Sequence, residues 1–213
     1  MKWLIAVVAA SLAVSAVAAP AAPPSWQHDI TMPDRRRLGK LWEAWTRSLN
    51  EIQQAGQGKA LVALGPIGVP DAATMHAEPG AAIKPVGPLP GVGDYRCRTI
   101  NLGQRAGGAA ASPAPIASGG LQPCRIEMRG KTLWFEQASG VQRLGGRLYA
   151  DGNRQLFLGT LALVGEMAIM PYGVDPQRDA IGVLRSIGPQ HWRMELPWPN
   201  WQSNLAIVEM VPA

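Results

Sequence analysis

Few residues in this chain have the type and spacing that chemistry requires. There are two cysteines, Cys97 and Cys124, and the histidines are His28, His76 and His191. No Cys-x-x-Cys pair occurs, and no histidine is spaced with a cysteine as metal ligands usually are, so no metal site is expected. The Gly-x-Ser-x-Gly elbow, the phosphate loop, the dinucleotide fingerprint and His-Glu-x-x-His are all absent from the sequence. Carboxylates remain. Glu136, Glu166, Asp175 and Asp179 are of the right type for a paired general acid and base, but nothing in their spacing places any two together. His191 precedes Trp192 near a strand start, where a general base is conceivable and a plain surface histidine is the competing reading.

Two polar clusters interrupt the apolar pattern. Gln142-Arg143 stands with Arg147 and Tyr149, and the run from Tyr172 to Asp179 mixes an aromatic with alternating charges. The candidate ligand-binding residues are therefore Arg143, Arg147, Tyr149, Tyr172, Asp175, Arg178 and Asp179. The competing reading is a self-satisfied turn, with Asp175 and Asp179 bonding backbone amides and Arg178 pairing with either. Trp198 and Trp201 flank Pro199 and could form a stacking edge for carbohydrate or peptide, or a packed crossover between strands. No catalytic residue and no cofactor is assigned from these patterns.

The ends of the chain say where such residues would work. Lys2 is followed by an apolar and small-residue run from Trp3 to Val17, then by Ala16-Val17-Ala18, which has small side chains where a signal peptidase reads. Residues 1–18 are expected to be a cleaved signal peptide and 19–32 a linker, giving a periplasmic or secreted protein. The run is shorter than the roughly 20 residues of a spanning helix, and no later stretch is long enough to cross a bilayer. In such a compartment Cys97 and Cys124 most simply pair with each other. Closing a loop of roughly 28 residues would contribute about 3.5 kcal/mol in the chain-entropy model. The net charge of +5 is mildly basic. Its only basic run, Arg35-Arg36-Arg37, opens a helix, so no nucleic-acid partner is expected.

The elements follow from hydrophobic period. Residues 33–55 read as one amphipathic helix, with Leu38, Leu41, Trp42, Trp45, Leu49 and Ile52 on one stripe. Thr31 or Asp34 can cap its start, Pro33 suits its first turn and Gly56 stops it. Residues 56–93 are a Pro/Gly-rich connector with at most a short piece of structure around Lys59 to Leu64, and 103–123 is a loop. Eight short strands then follow from alternation and turn chemistry: 95–102, 125–128, 131–137, 146–150, 154–163, 180–187, 192–196 and 204–211. The expected fold is mainly β. It is an antiparallel meander over 94–213 closing into a small calycin-like barrel, or a sandwich, with the N-terminal amphipathic helix packed across one opening or side. Residues 33–213 form a single domain.

An ordered series of short motifs carries a resemblance. Gly93-Asp94-Tyr95-Arg96-Cys97-Arg98, Gly146-Arg147-Leu148-Tyr149, Phe157-Leu158-Gly159-Thr160, Tyr172-Gly173 with Arg178-Asp179, and Trp192-Arg193 before Leu196-Pro197-Trp198-Pro199 occur in that order. From about Arg35 to the C-terminus the chain resembles an exported proteobacterial family described only as a domain of unknown function. The resemblance implies an exported location and a single domain, and no activity. Gly107 to Gly120 is longer and richer in alanine than that pattern.

Small barrels of this size hold either a side-chain core or one small ligand. The leading expectation is a non-catalytic periplasmic module that binds a small apolar ligand in the barrel or presents a loop to an envelope protein. The alternatives are an envelope-directed hydrolase acting through carboxylates such as Glu166 and Asp179, and a structural envelope protein. A cavity inside the barrel is the feature that separates the first from the last.

Overall fold

A computed structural model describes residues 25–70, 86–104, 114–200 and 203–213. The expected signal peptide, the first part of the linker, residues 71–85 of the connector, residues 105–113 of the 103–123 loop and Trp201 lie outside the described residues.

The eight expected strands are all present, and they close. In chain order they are β1 (Gly93–Leu102), β3 (Gln122–Arg129), β4 (Thr132–Gln137), β5 (Gln142–Asp151), β6 (Arg154–Leu163), β7 (Asp179–Gly188), β8 (His191–Pro197) and β9 (Leu205–Pro212). Each pairs antiparallel with the next, and β9 returns to β1 from Tyr95↔Pro212 to Leu102↔Leu205. The result is a barrel, not a sandwich. A further short strand, β2 (Ile116–Ser118), lies within the segment expected to be only loop, and it pairs with Ile100–Leu102 where β3 no longer reaches β1. Gly130 and Gly152 hold the positive φ angles that two of the three two-residue hairpins require, and Gln190 at φ 52° serves the third.

Two cores occupy the two faces of this sheet. Inside the barrel, Tyr95 and Trp192 meet edge to face at 5.5 Å, as do Phe135 and Phe157 at 5.9 Å. Ile126, Leu148, Leu184, Met194 and Met210 fill the space around them. Gly146 and Gly159 face each other across β5 and β6, where a Cβ on Gly146 would stand 2.4 Å from the Leu158 carbonyl oxygen. Outside, Leu156, Leu158, Ile181, Val183, Leu205 and Ile207 form a second apolar face, covered by the N-terminal helices.

The single helix expected over 33–55 is two helices, α2 (Met32–Leu38) and α3 (Leu41–Gln54), after a short α1 (Trp26–Asp29). The break falls at Gly39 and Lys40, where the Lys40 N–H reaches back to Arg37 instead of continuing the α ladder. It lets α2 lie on β7 while α3 lies on β8, β9 and β1. Thr31 caps α2 as expected, and Gly56 at φ 69° follows α3. A short α4 (Gly58–Ala63) occupies the predicted piece of the connector, ahead of a 3-10 turn at Gly65–Gly68. The helices therefore cover the side of the barrel, and its ends are left to the loops.

Trp45 and Ile52 of α3 and Ile67 of the 3-10 turn are fully buried on the outer wall, each worth roughly 1.5–3 kcal/mol of apolar transfer. Arg193 lies among them. Its guanidinium stacks over Trp45 at 5.2 Å, pairs with Glu195 at 2.7 Å and donates to the Pro66 and Val69 carbonyls. These partners compensate a charge that burial alone would make prohibitive.

Candidate functional site

Because consecutive strands run up and down, each end of the barrel has its own set of loops and inward side chains. At one end the inward positions are large: Tyr95, Phe135, Phe157 and Trp192. Toward the other end β1, β4, β7, β8 and β9 carry Thr99, Gln137, Ala180, Leu196 and Ala206. Smaller side chains leave space. A cavity of about 470 Å³ opens there, bounded by the β4–β5 turn, the 164–178 connection and the β8–β9 loop.

Its two sides differ in chemistry. Leu144, Leu161, Ala180, Leu196 and Ala206, on β5 to β9, make one side aliphatic. Thr99, Asn101, Gln122 and Gln137, on β1, β3 and β4, make the other polar and uncharged. Gln137 spans its neighbours: Nε2 donates to Thr99 Oγ1 at 3.3 Å and Oε1 accepts the Leu144 N–H at 2.9 Å. Ser139 donates to Gln122 Oε1 at 3.0 Å, and Ser203 to Asn101 Oδ1 at 3.2 Å. The disulfide Cys97–Cys124 is on the inner face between β1 and β3, with Cα atoms 5.8 Å apart, and Cys97 forms part of the cavity wall.

The seven candidate residues fall into three places. Arg178 and Asp179 stand at the cavity mouth. Arg178 pairs with Glu166 and, at 3.4 Å, with Asp175, while Arg143 donates to the Glu166 carbonyl, so Arg143, Asp175 and Arg178 together brace the 164–178 connection. On the outer wall, Tyr149 donates to Asp29 of α1 at 2.5 Å and Arg147 lies 3.4 Å from the same carboxylate. Tyr172, in the connection, donates to the buried Asp34 of α2 at 2.6 Å and accepts the Thr31 N–H at 3.1 Å. Arg147, Tyr149 and Tyr172 thus clasp α1 and α2 to the barrel.

Electrostatics separates the carboxylates. The Leu163 N–H, then Arg178, lower the Glu166 carboxyl below its ordinary range. Burial raises that of Asp179, against the pull of the Gly173 N–H that it accepts at 2.9 Å. Asp179 Oδ2 is buried with no hydrogen-bond partner among the described residues. Burial and the Asp34 carboxylate push the Tyr172 hydroxyl well up. Elsewhere, His191 lies 2.8 Å from Glu209, Trp198 donates to the Lys40 carbonyl at 3.3 Å, and Glu136 pairs with Arg129 at 2.7 Å on the outer face. Among the described residues no three His, Cys, Asp or Glu side chains gather as a metal site would need.

Residues 26–210 match a family described as Domain of unknown function (DUF4893). The chain belongs to that family. The match spans α1 to β9, so the covering helices and the barrel belong to one family unit. No curated protein and no solved structure matches the chain significantly.

Thr99, Gln137, Leu144, Leu161 and Ala206 were not among the candidates read from sequence. Their signal is a gradient in size along alternate positions, from Tyr95 to Thr99 in β1 and from Met210 to Ala206 in β9. It becomes visible only once the strands are known to share ends.

Proposed function

We propose that the protein is an exported, non-catalytic binding module that takes one small molecule into the open end of its barrel. The observation that carries this reading is the cavity of about 470 Å³ in a barrel whose other end is filled with aromatic side chains. That volume falls within the ~300–1,000 Å³ of small-molecule sites, which combine an apolar lining with a few placed polar groups. The export part rests on Lys2, the apolar run to Val17 and Ala16-Val17-Ala18. Native mass spectrometry of protein purified from the periplasm tests both parts. A small molecule that reproducibly co-purifies and is released on denaturation is the expected result. Bare protein across independent preparations, or no protein in that compartment, would overturn the proposal.

A further inference from the structure

We infer that the cavity takes an uncharged, single-chain amphiphile whose head accepts hydrogen bonds, as an amide or ester does; this rests on the binding reading above. Three observations specify the class.

The first is the division of the wall. Leu144, Leu161, Leu196 and Ala206 offer an apolar chain a continuous aliphatic side, while Thr99, Gln122 and Gln137 face it from β1, β3 and β4. The second is the polarity of what those side chains still offer. The oxygens of Gln137, Gln122 and Thr99 already accept bonds from Leu144, Ser139 and Gln137 respectively. Each of these oxygens keeps a second lone pair, and beside them the Thr99 hydroxyl proton and amide protons of Gln122 and Gln137 are unplaced among the described residues. Such a wall can donate to an amide or ester oxygen and can accept an amide N–H.

The third is the state of the charges. Arg98 and Arg178 reach the cavity, but Arg98 is paired with Glu209 and Arg178 with Glu166 and Asp175. Asp179 Oδ1 accepts the Gly173 N–H, while its Oδ2 is buried with no hydrogen-bond partner among the described residues. A carboxylate head would lose water and find both arginines already paired, and an ammonium head would have the unpartnered Asp179 Oδ2 to set against two neighbouring arginines, which disfavours both. Size sets the length. A cavity of about 470 Å³ lies toward the small end of ligand sites, which suits one chain with its head.

Isothermal titration of the purified protein with N-methyldecanamide, decanoate and decylammonium, each below its micelle concentration, tests the class. The amide is expected to bind about tenfold or more tightly than either ion. Thr99→Val should narrow that preference, and Ala206→Trp or Ala180→Phe, each checked for a cooperative melt, should abolish binding of all three. If either ion binds as tightly as the amide and the blocking variants still abolish binding, the inferred class is wrong and the cavity reading stands. If no probe binds, or binding ignores both blocking variants, the cavity reading fails with it.

Discussion

At the scale of single residues, the polar side chains divide between holding the fold and lining the cavity. Tyr172 belongs to the first group. Its hydroxyl donates to Asp34, a carboxylate with no exposure at all. Tyr172→Phe should therefore destabilise by about 1–3 kcal/mol, the cost of removing a partner from a buried polar group, measurable by urea denaturation. Arg193→Met leaves Glu195 with Arg185, 3.8 Å away, as its remaining ion-pair partner among the described residues, and should cost up to about 3–5 kcal/mol in the same experiment. Asp179 and Glu166 make opposite contributions to the pH dependence. The raised Asp179 carboxyl holds its proton more tightly in the folded protein, so its contribution is full below the ordinary carboxylate range and is lost as pH rises through the raised value. The lowered Glu166 contributes fully above that range and loses its contribution as pH falls. Melting curves should show Asp179→Asn gaining on the native protein as pH rises from about 4 to about 7. The deficit of Glu166→Gln should instead shrink as pH falls below about 4.

At the scale of elements, the disulfide and the helix break matter most. Cys97 and Cys124 are 1% and 2% exposed on the inner face of the barrel. Both are buried apart from the face that Cys97 turns to the cavity, so mild reductant should release thiols slowly from the native protein and faster as it melts. Once reduced, it should lose about 3.5 kcal/mol of stability in the chain-entropy account, read as a lower Tm; an unchanged Tm would contradict that account. The stripe of apolar residues over 33–55 is continuous in sequence, yet the wall it must cover curves. Breaking at Gly39–Lys40 turns α2 onto β7 and α3 across β8, β9 and β1. Helical period cannot report that turn, because Leu38 and Leu41 keep the same spacing whichever way the axis runs.

For the whole molecule, cover and barrel are interdependent. Strands β6 to β9 are buried along most of their length on both faces, one by the interior and one by the helices. By contrast, β3 and β4 expose alternating polar residues, with Arg125, Glu127, Arg129 and Glu136 in an outer charge network. Removing residues 25–70 would bare Leu156, Leu158, Ile181, Val183 and Ile207, a patch of the kind that drives association. Size-exclusion chromatography of that truncation should show oligomer or aggregate where the full chain runs as a smaller species.

Eight of the nine strands, their antiparallel order, the pairing of Cys97 with Cys124 and the burial of the α3 stripe were legible in the sequence. Those properties are local: alternation, turn chemistry and a two-cysteine count are written within a few residues. Closure into a barrel was expected with a sandwich as the alternative, and the pairing of β9 with β1 chose between them; the two-sided burial of β6 to β9 and the cavity came from tertiary structure. The reason is that each depends on residues far apart in the chain meeting at one level of the barrel. Arg147, Tyr149 and Tyr172 could be singled out as polar residues against an apolar pattern, but their partners Asp29 and Asp34 lie more than a hundred positions away. Thr99 and Gln137 looked ordinary for the opposite reason. Each is an unremarkable strand residue until the barrel closes and sets it across from Leu161 and Ala206 around one cavity.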